Sequence, residues 1–170
     1  MALAGLLTAF SAVLMVLSCM IETNSLFLIC AASFCVGIAI REWGIRMGFA
    51  FLAAGTLVNF MVTPNKFYCL TFLSMGSYLV LSEFLWEKIA AKSNMKNRTL
   101  ALWIGKYVIF NCIYIPGLIM FQKSIFTTGV SEKTLIGVMV LGQAALFVYD
   151  RAYLYFQGAV WGKIRGRFMD

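Results

Sequence analysis

The sequence predicts an all-α polytopic integral membrane protein with six transmembrane helices and both termini in the cytoplasm. Three observations carry that expectation. Of 170 residues, 62% are hydrophobic and 12% charged, whereas a soluble domain carries about 25% charged residues. The apolar residues fall into six runs, most of them near the ~20 residues that cross a hydrocarbon core about 30 Å thick. The basic residues also sort by side. Ten of the 14 Lys and Arg fall with the N-terminus, the 41–46 turn, the 87–98 segment and the C-terminal end from Arg151 onward, three fall on the opposite side, and Lys106 lies well within a span. The positive-inside rule makes the basic side cytoplasmic. One transmembrane domain, 1–170, is expected, because the chain is too short for two.

The first span, 2–21, has no Lys or Arg before it and is long for a signal-peptide core, so it reads as a retained helix. Gly5 and Ala9 are four residues apart, as are Thr8 and Ala12, which places small side chains along one helical face where another helix can approach closely. That face serves either packing within the bundle or docking of a partner helix. Glu22 to Ser25 forms a polar turn. The second span, 26–40, is short, and Arg41-Glu42-Trp43-Gly44-Ile45-Arg46 reads as a charged turn with an interfacial Trp. The third span, 47–63, carries Asn59 near its far end, and Pro64-Asn65-Lys66 turns the chain into the fourth, 67–86. Polar residues from Glu87 to Arg98 form a loop. The fifth span, 99–122, contains Lys106 and Asn111, with Pro116-Gly117 as an expected kink. A loop from Lys123 to Lys133 includes Thr127-Thr128-Gly129. The sixth span, 134–161, is expected as one long helix through Asp150-Arg151, followed by Lys163, Arg165 and Arg167.

Ionisable groups inside membrane helices mark functional candidates, because hydrocarbon penalises them. Glu83 and Lys106 fall at similar depths in consecutive spans and are expected to pair. Asp150 is expected to pair with its neighbour Arg151 at the interface. On the opposite side, Asn59, Asn65 and Lys66 offer donors and acceptors to a small polar or anionic solute. Asn111 and Gln143, near mid-membrane, either bond across helices or line a cavity.

Other chemistries have little support in the residues. The chain has no histidine, which removes His bases and His metal or haem ligands. The five cysteines lie in apolar segments with no CxxC pair and read as small hydrophobes. No catalytic motif, metal-binding cluster or cofactor fingerprint is present, so no enzyme activity, metal or cofactor is expected. Nucleic acid is not an expected partner, because no basic run is interleaved with aromatics. The excess of 14 Lys and Arg over 7 Asp and Glu matches anchoring beside anionic lipid.

Six spans, termini inside, about 170 residues and the small-residue face Gly5/Thr8/Ala9/Ala12 resemble the substrate-binding S-components of energy-coupling factor vitamin transporters. More closely, Leu57-Val58, Pro64-Asn65-Lys66, Tyr78, Glu83, Trp103-Ile104-Gly105-Lys106 and Phe110-Asn111 look like a Firmicute-type group of membrane proteins with that layout. The group carries an aromatic-Gly-aromatic-Pro stretch after the turn, and this chain departs from it with Met75-Gly76-Ser77-Tyr78. The resemblance implies a bacterial plasma-membrane subunit that binds a vitamin-type or other micronutrient from outside. It also implies that the first helix meets a transmembrane coupling subunit carrying a separate ATPase module. The alternative is a non-catalytic scaffold resembling cell-shape membrane proteins.

Overall fold

The computed structural model describes residues 2–91, 97–125 and 132–161, and among these every regular element is helical. Six α-helices follow in order: α1 Ala2–Met20, α2 Ser25–Trp43, α3 Ile45–Val62, α4 Lys66–Ala91, α5 Arg98–Ile125 and α6 Glu132–Tyr155. Five of them, α1 to α5, are long and apolar enough to cross a membrane. The chain divides into two compact units, Met1–Leu102 and Trp103–Asp170.

Several boundaries depart from the sequence expectation. The charged 41–46 turn collapses to one residue. Helix α2 runs on through Trp43, Gly44 turns the chain with φ 84°, and α3 begins at Ile45. Positive φ is open to glycine without the penalty a Cβ brings. The Gly44 N–H closes α2 on the Ile40 carbonyl at 2.7 Å. The short second span thereby lengthens to 19 residues, enough for the hydrocarbon core. At its other end, α4 continues past Trp86 to Ala91. Helix α5 continues past Pro116 to Ile125, and α6 gives way at Phe156–Trp161 to a π-helical turn instead of continuing as one α-helix. The Thr127–Gly129 stretch and the basic tail beyond Trp161 lie outside the described residues.

In the first unit α2 is the central helix. Its residues 32–40 are buried all round, and it touches α1, α3 and α4. Such a helix reads as continuously apolar, not amphipathic. Its neighbours come close where their side chains vanish. A Cβ on Gly48 of α3 would lie 2.1 Å from Ile40 Cγ1, and one on Gly76 of α4 would lie 2.4 Å from Leu52 Cδ1 and 3.6 Å from Val36 Cγ2. Hydroxyls inside these helices bond back to their own turn: Thr8 to the Ala4 carbonyl, Thr56 to that of Leu52 and Ser82 to that of Leu79. This hides a polar group from lipid. Leu6, Phe10 and Val13 on α1 and Leu57, Phe60 and Met61 on α3 remain exposed, as lipid-facing side chains do.

Replacing Gly48 by Ala forces Ile40 to shift, and we expect a loss of about 1–3 kcal/mol, the usual range for overpacking. Gly5→Ala, where a Cβ meets nothing within 4 Å, is expected to stay within about 0.5 kcal/mol of wild type. Thermal unfolding of both variants in detergent checks the contrast.

Candidate functional site

The Pro-Asn-Lys turn between α3 and α4 is built from three separate devices. Thr63, held in extended conformation (φ −89°, ψ 121°), precedes Pro64, whose ring disfavours a helical residue before it. Helix α3 therefore stops, with the Thr63 N–H on the Asn59 carbonyl at 2.8 Å. Asn65 starts the next helix. Its Oδ1 accepts the Phe67 N–H at 3.1 Å and its carbonyl accepts the Tyr68 N–H at 3.2 Å, the work of an N-cap. Lys66 reaches back to the end of α3. Its Nζ donates to the Phe60 carbonyl at 2.6 Å and the Thr63 carbonyl at 3.2 Å, and lies 4.2 Å from the centre of the Phe60 ring. A cation at the carbonyl end of a helix complements its dipole.

Beside this turn opens a pocket of about 550 Å³ lined by Cys19, at the end of α1, and by Pro64, Asn65, Lys66, Phe67 and Tyr68. Two of the five residues expected to bind solute, Asn65 and Lys66, therefore share one pocket wall. Asn59 is fully buried and is not among the lining residues. Cys19 joins the pocket unforeseen. Only its position near the end of the first span, level with the Pro64 turn in an up-and-down arrangement, could have pointed to it.

Asn111 and Gln143 belong to the second unit and bond to each other. Gln143 Nε2 donates to Asn111 Oδ1 at 2.7 Å, while Asn111 Nδ2 donates to the Tyr107 carbonyl at 2.8 Å. Tyr114 Oη donates to the Val138 carbonyl at 3.0 Å, and the Tyr114 ring lies 2.7 Å from where a Gly142 Cβ would stand. Lys106 Nζ meets Asp150 Oδ1 at 2.6 Å. Residue numbers rise along α5 as they fall along α6, as in an antiparallel helix pair. A signal for this was present in the sequence, since Gln143 and Asp150 are seven residues apart and so lie on one helical face.

Glu83 pairs with Arg41 of α2 at 3.2 Å, within the first unit, and Lys106 with Asp150 of α6 at 2.6 Å, within the second. Helices α2 and α4 run in parallel, with Val36 beside Gly76, and so bring Arg41 level with Glu83. Asp150 is likewise a buried partner of Lys106. Its neighbour Arg151 is exposed and turns to the rings of Trp103 and Phe147 at 5.8 and 5.5 Å, which stack at 5.6 Å. On α1 the inward residues are Leu7, Ser11, Met15 and Ser18. Gly5 and Ala9 are exposed, with Thr8 and Ala12 half-buried.

Compared with known protein families, curated proteins and solved structures, the chain matches none.

Asp150 is 1% exposed and Lys106 16%, so removing one partner strands a charge. Lys106→Ala and Asp150→Ala are each expected to cost about 3–5 kcal/mol, while the double change to Met and Leu recovers much of that. Arg41, 41% exposed against Glu83, is expected to contribute about 1 kcal/mol or less. A double-mutant cycle read by thermal unfolding in detergent measures each pair.

Proposed function

We propose that this chain is a solute-capturing subunit of a bacterial plasma membrane, with its Pro64 end outward and its termini inward. It takes a small polar molecule into the pocket between the end of α1 and the α3–α4 turn. The single observation that supports this reading is the pocket of about 550 Å³ lined by Cys19 and residues 64–68. The depression is open at the surface, and its walls combine aromatic faces with a few polar groups, as small-molecule sites do. Release to the cytoplasm would require a separate coupling subunit with an ATPase module. The exposed Gly5 and Ala9 of α1 offer that subunit a close helix approach.

The same exposed face favours the second reading, a scaffold that holds another membrane protein and carries no solute. Native mass spectrometry of the full chain, purified in mild detergent with extraction of small molecules, separates the two. The import reading expects a stoichiometric solute that is lost when Cys19→Trp fills the pocket. A solute-free chain that brings only another membrane protein overturns it. Lys66→Ala and Asn65→Ala are expected to weaken retention of the solute, and unchanged retention counts against those side chains as contacts.

A further inference from the structure

The second unit carries a cation that its described residues leave unneutralised. Two cations stand beside the Trp103 ring, Lys106 Nζ at 5.7 Å and the Arg151 guanidinium at 5.8 Å. Lys106 is neutralised by Asp150 at 2.6 Å. Arg151 is exposed and has neither an ion pair nor a side-chain hydrogen bond among the described residues. Two rings from different helices position it. Trp103 of α5 and Phe147 of α6 stack at 5.6 Å with 22° between their planes, and the guanidinium lies 5.5 Å from the Phe147 ring. Both ring distances fall within the ~6 Å of a cation–π contact. Neither contact gives the charge an oxygen, so a planar fork of five N–H donors is held in place without an acceptor among the described residues.

The helix surface leading to this cation indicates the kind of anion it meets. Counting back along α6 from Arg151, Val148, Phe147, Ala144, Leu141 and Val140 fall at i−3, i−4, i−7, i−10 and i−11, which is one helical face. All five are exposed. From Val140 to Arg151 is about 16 Å, half of a hydrocarbon core about 30 Å thick. An exposed apolar stripe one leaflet long, ending in an arginine seated on a tryptophan, matches a phospholipid in both its parts. The acyl chains meet the stripe and the phosphate meets the guanidinium, at the level where aromatic side chains gather.

We infer that Arg151, seated on Trp103 and Phe147, is a discrete binding site for the phosphate of a net-anionic phospholipid such as phosphatidylglycerol, whose acyl chains lie along the α6 face from Val140 to Val148. The two non-bridging oxygens of a phosphodiester match the guanidinium fork in a bidentate pair. A net-anionic head group is favoured over a zwitterionic one because the neighbouring acid, Asp150, is buried against Lys106 and offers nothing to a choline ammonium.

The test is native mass spectrometry of the full chain in neutral detergent, titrated with dioleoylphosphatidylglycerol or dioleoylphosphatidylcholine. In neutral micelles the protein meets single lipids and no charged bilayer surface. The wild type is expected to bind phosphatidylglycerol about tenfold more tightly than phosphatidylcholine, the scale of one charge-assisted hydrogen bond. Arg151→Gln is expected to remove that preference. Arg151→Lys, which keeps the charge and loses the fork, is expected to lose most of it. Arg46→Gln deletes another exposed arginine, one that lies over no aromatic ring among the described residues, and is expected to keep the preference. Both Arg151 variants change an exposed side chain, and an unchanged melting temperature without added lipid separates lost binding from lost fold. The proposal is overturned if the wild type binds both lipids equally, if Arg151→Gln or Arg151→Lys retains the full preference, or if Arg46→Gln lowers it as much as Arg151→Gln, the mark of net charge alone.

Discussion

The close approach of α3 to α2 at Gly48 governs the geometry of the first unit. A one-residue connection at Gly44 leaves the two helices no freedom to splay, so the turn after it must accommodate Ile40 directly. Only a residue without a Cβ does this. The same logic recurs at Gly76, which yields to Leu52 and Val36. In lipid, helices gain no hydrophobic advantage from meeting one another, so van der Waals contact between closely fitted surfaces does most of the associating. Burial of α2 over residues 32–40 follows from small residues in its neighbours as much as from its own composition.

A second constraint is the treatment of polar groups. Most hydroxyls in the first unit fold back on their own helices, whereas the second unit uses its polar side chains between helices. Lys106 with Asp150, Asn111 with Gln143 and Tyr114 with the Val138 carbonyl form a ladder along α5 and α6. Each rung removes an unpaired group and at the same time sets the register of the antiparallel pair, since sliding one helix by a turn would strand all three. Such bonds are modest one by one, but their joint dependence on register makes them specific.

The Pro64 turn joins these themes to a functional reading. Pro64 ends one helix, Asn65 begins the next, and Lys66 secures the carbonyl end of the first. Two side chains that would be natural solute contacts are thus also structural, which ties the shape of the pocket to the integrity of the turn. Asn59 and Thr63 are buried, and their side chains have no hydrogen-bond partner among the described residues.

Much of this was legible in the sequence. Six helical segments could be read because apolar runs and short polar breaks reflect local composition, which the thickness of a membrane constrains directly. Their ends were less legible. Arg41, Glu42 and Trp43 look like a turn by polarity, yet they complete a helix because Gly44 alone supplies the reversal. The pairing of Asn111 with Gln143 was open in the residues, and their mutual bond decides it. The partners that Glu83 and Lys106 have within their own units, Arg41 and Asp150, were not legible, for a physical reason. Composition and periodicity report which face of a helix is polar, but not which of several neighbouring helices that face meets. The sequence by itself therefore determined the class of protein, the helices and the polar turn. Tertiary structure alone decided that Arg41 meets Glu83, that Asp150 meets Lys106, that Cys19 joins the pocket and that Asn59 is buried away from it, because each is a distance between residues far apart along the chain or a burial created by several helices at once.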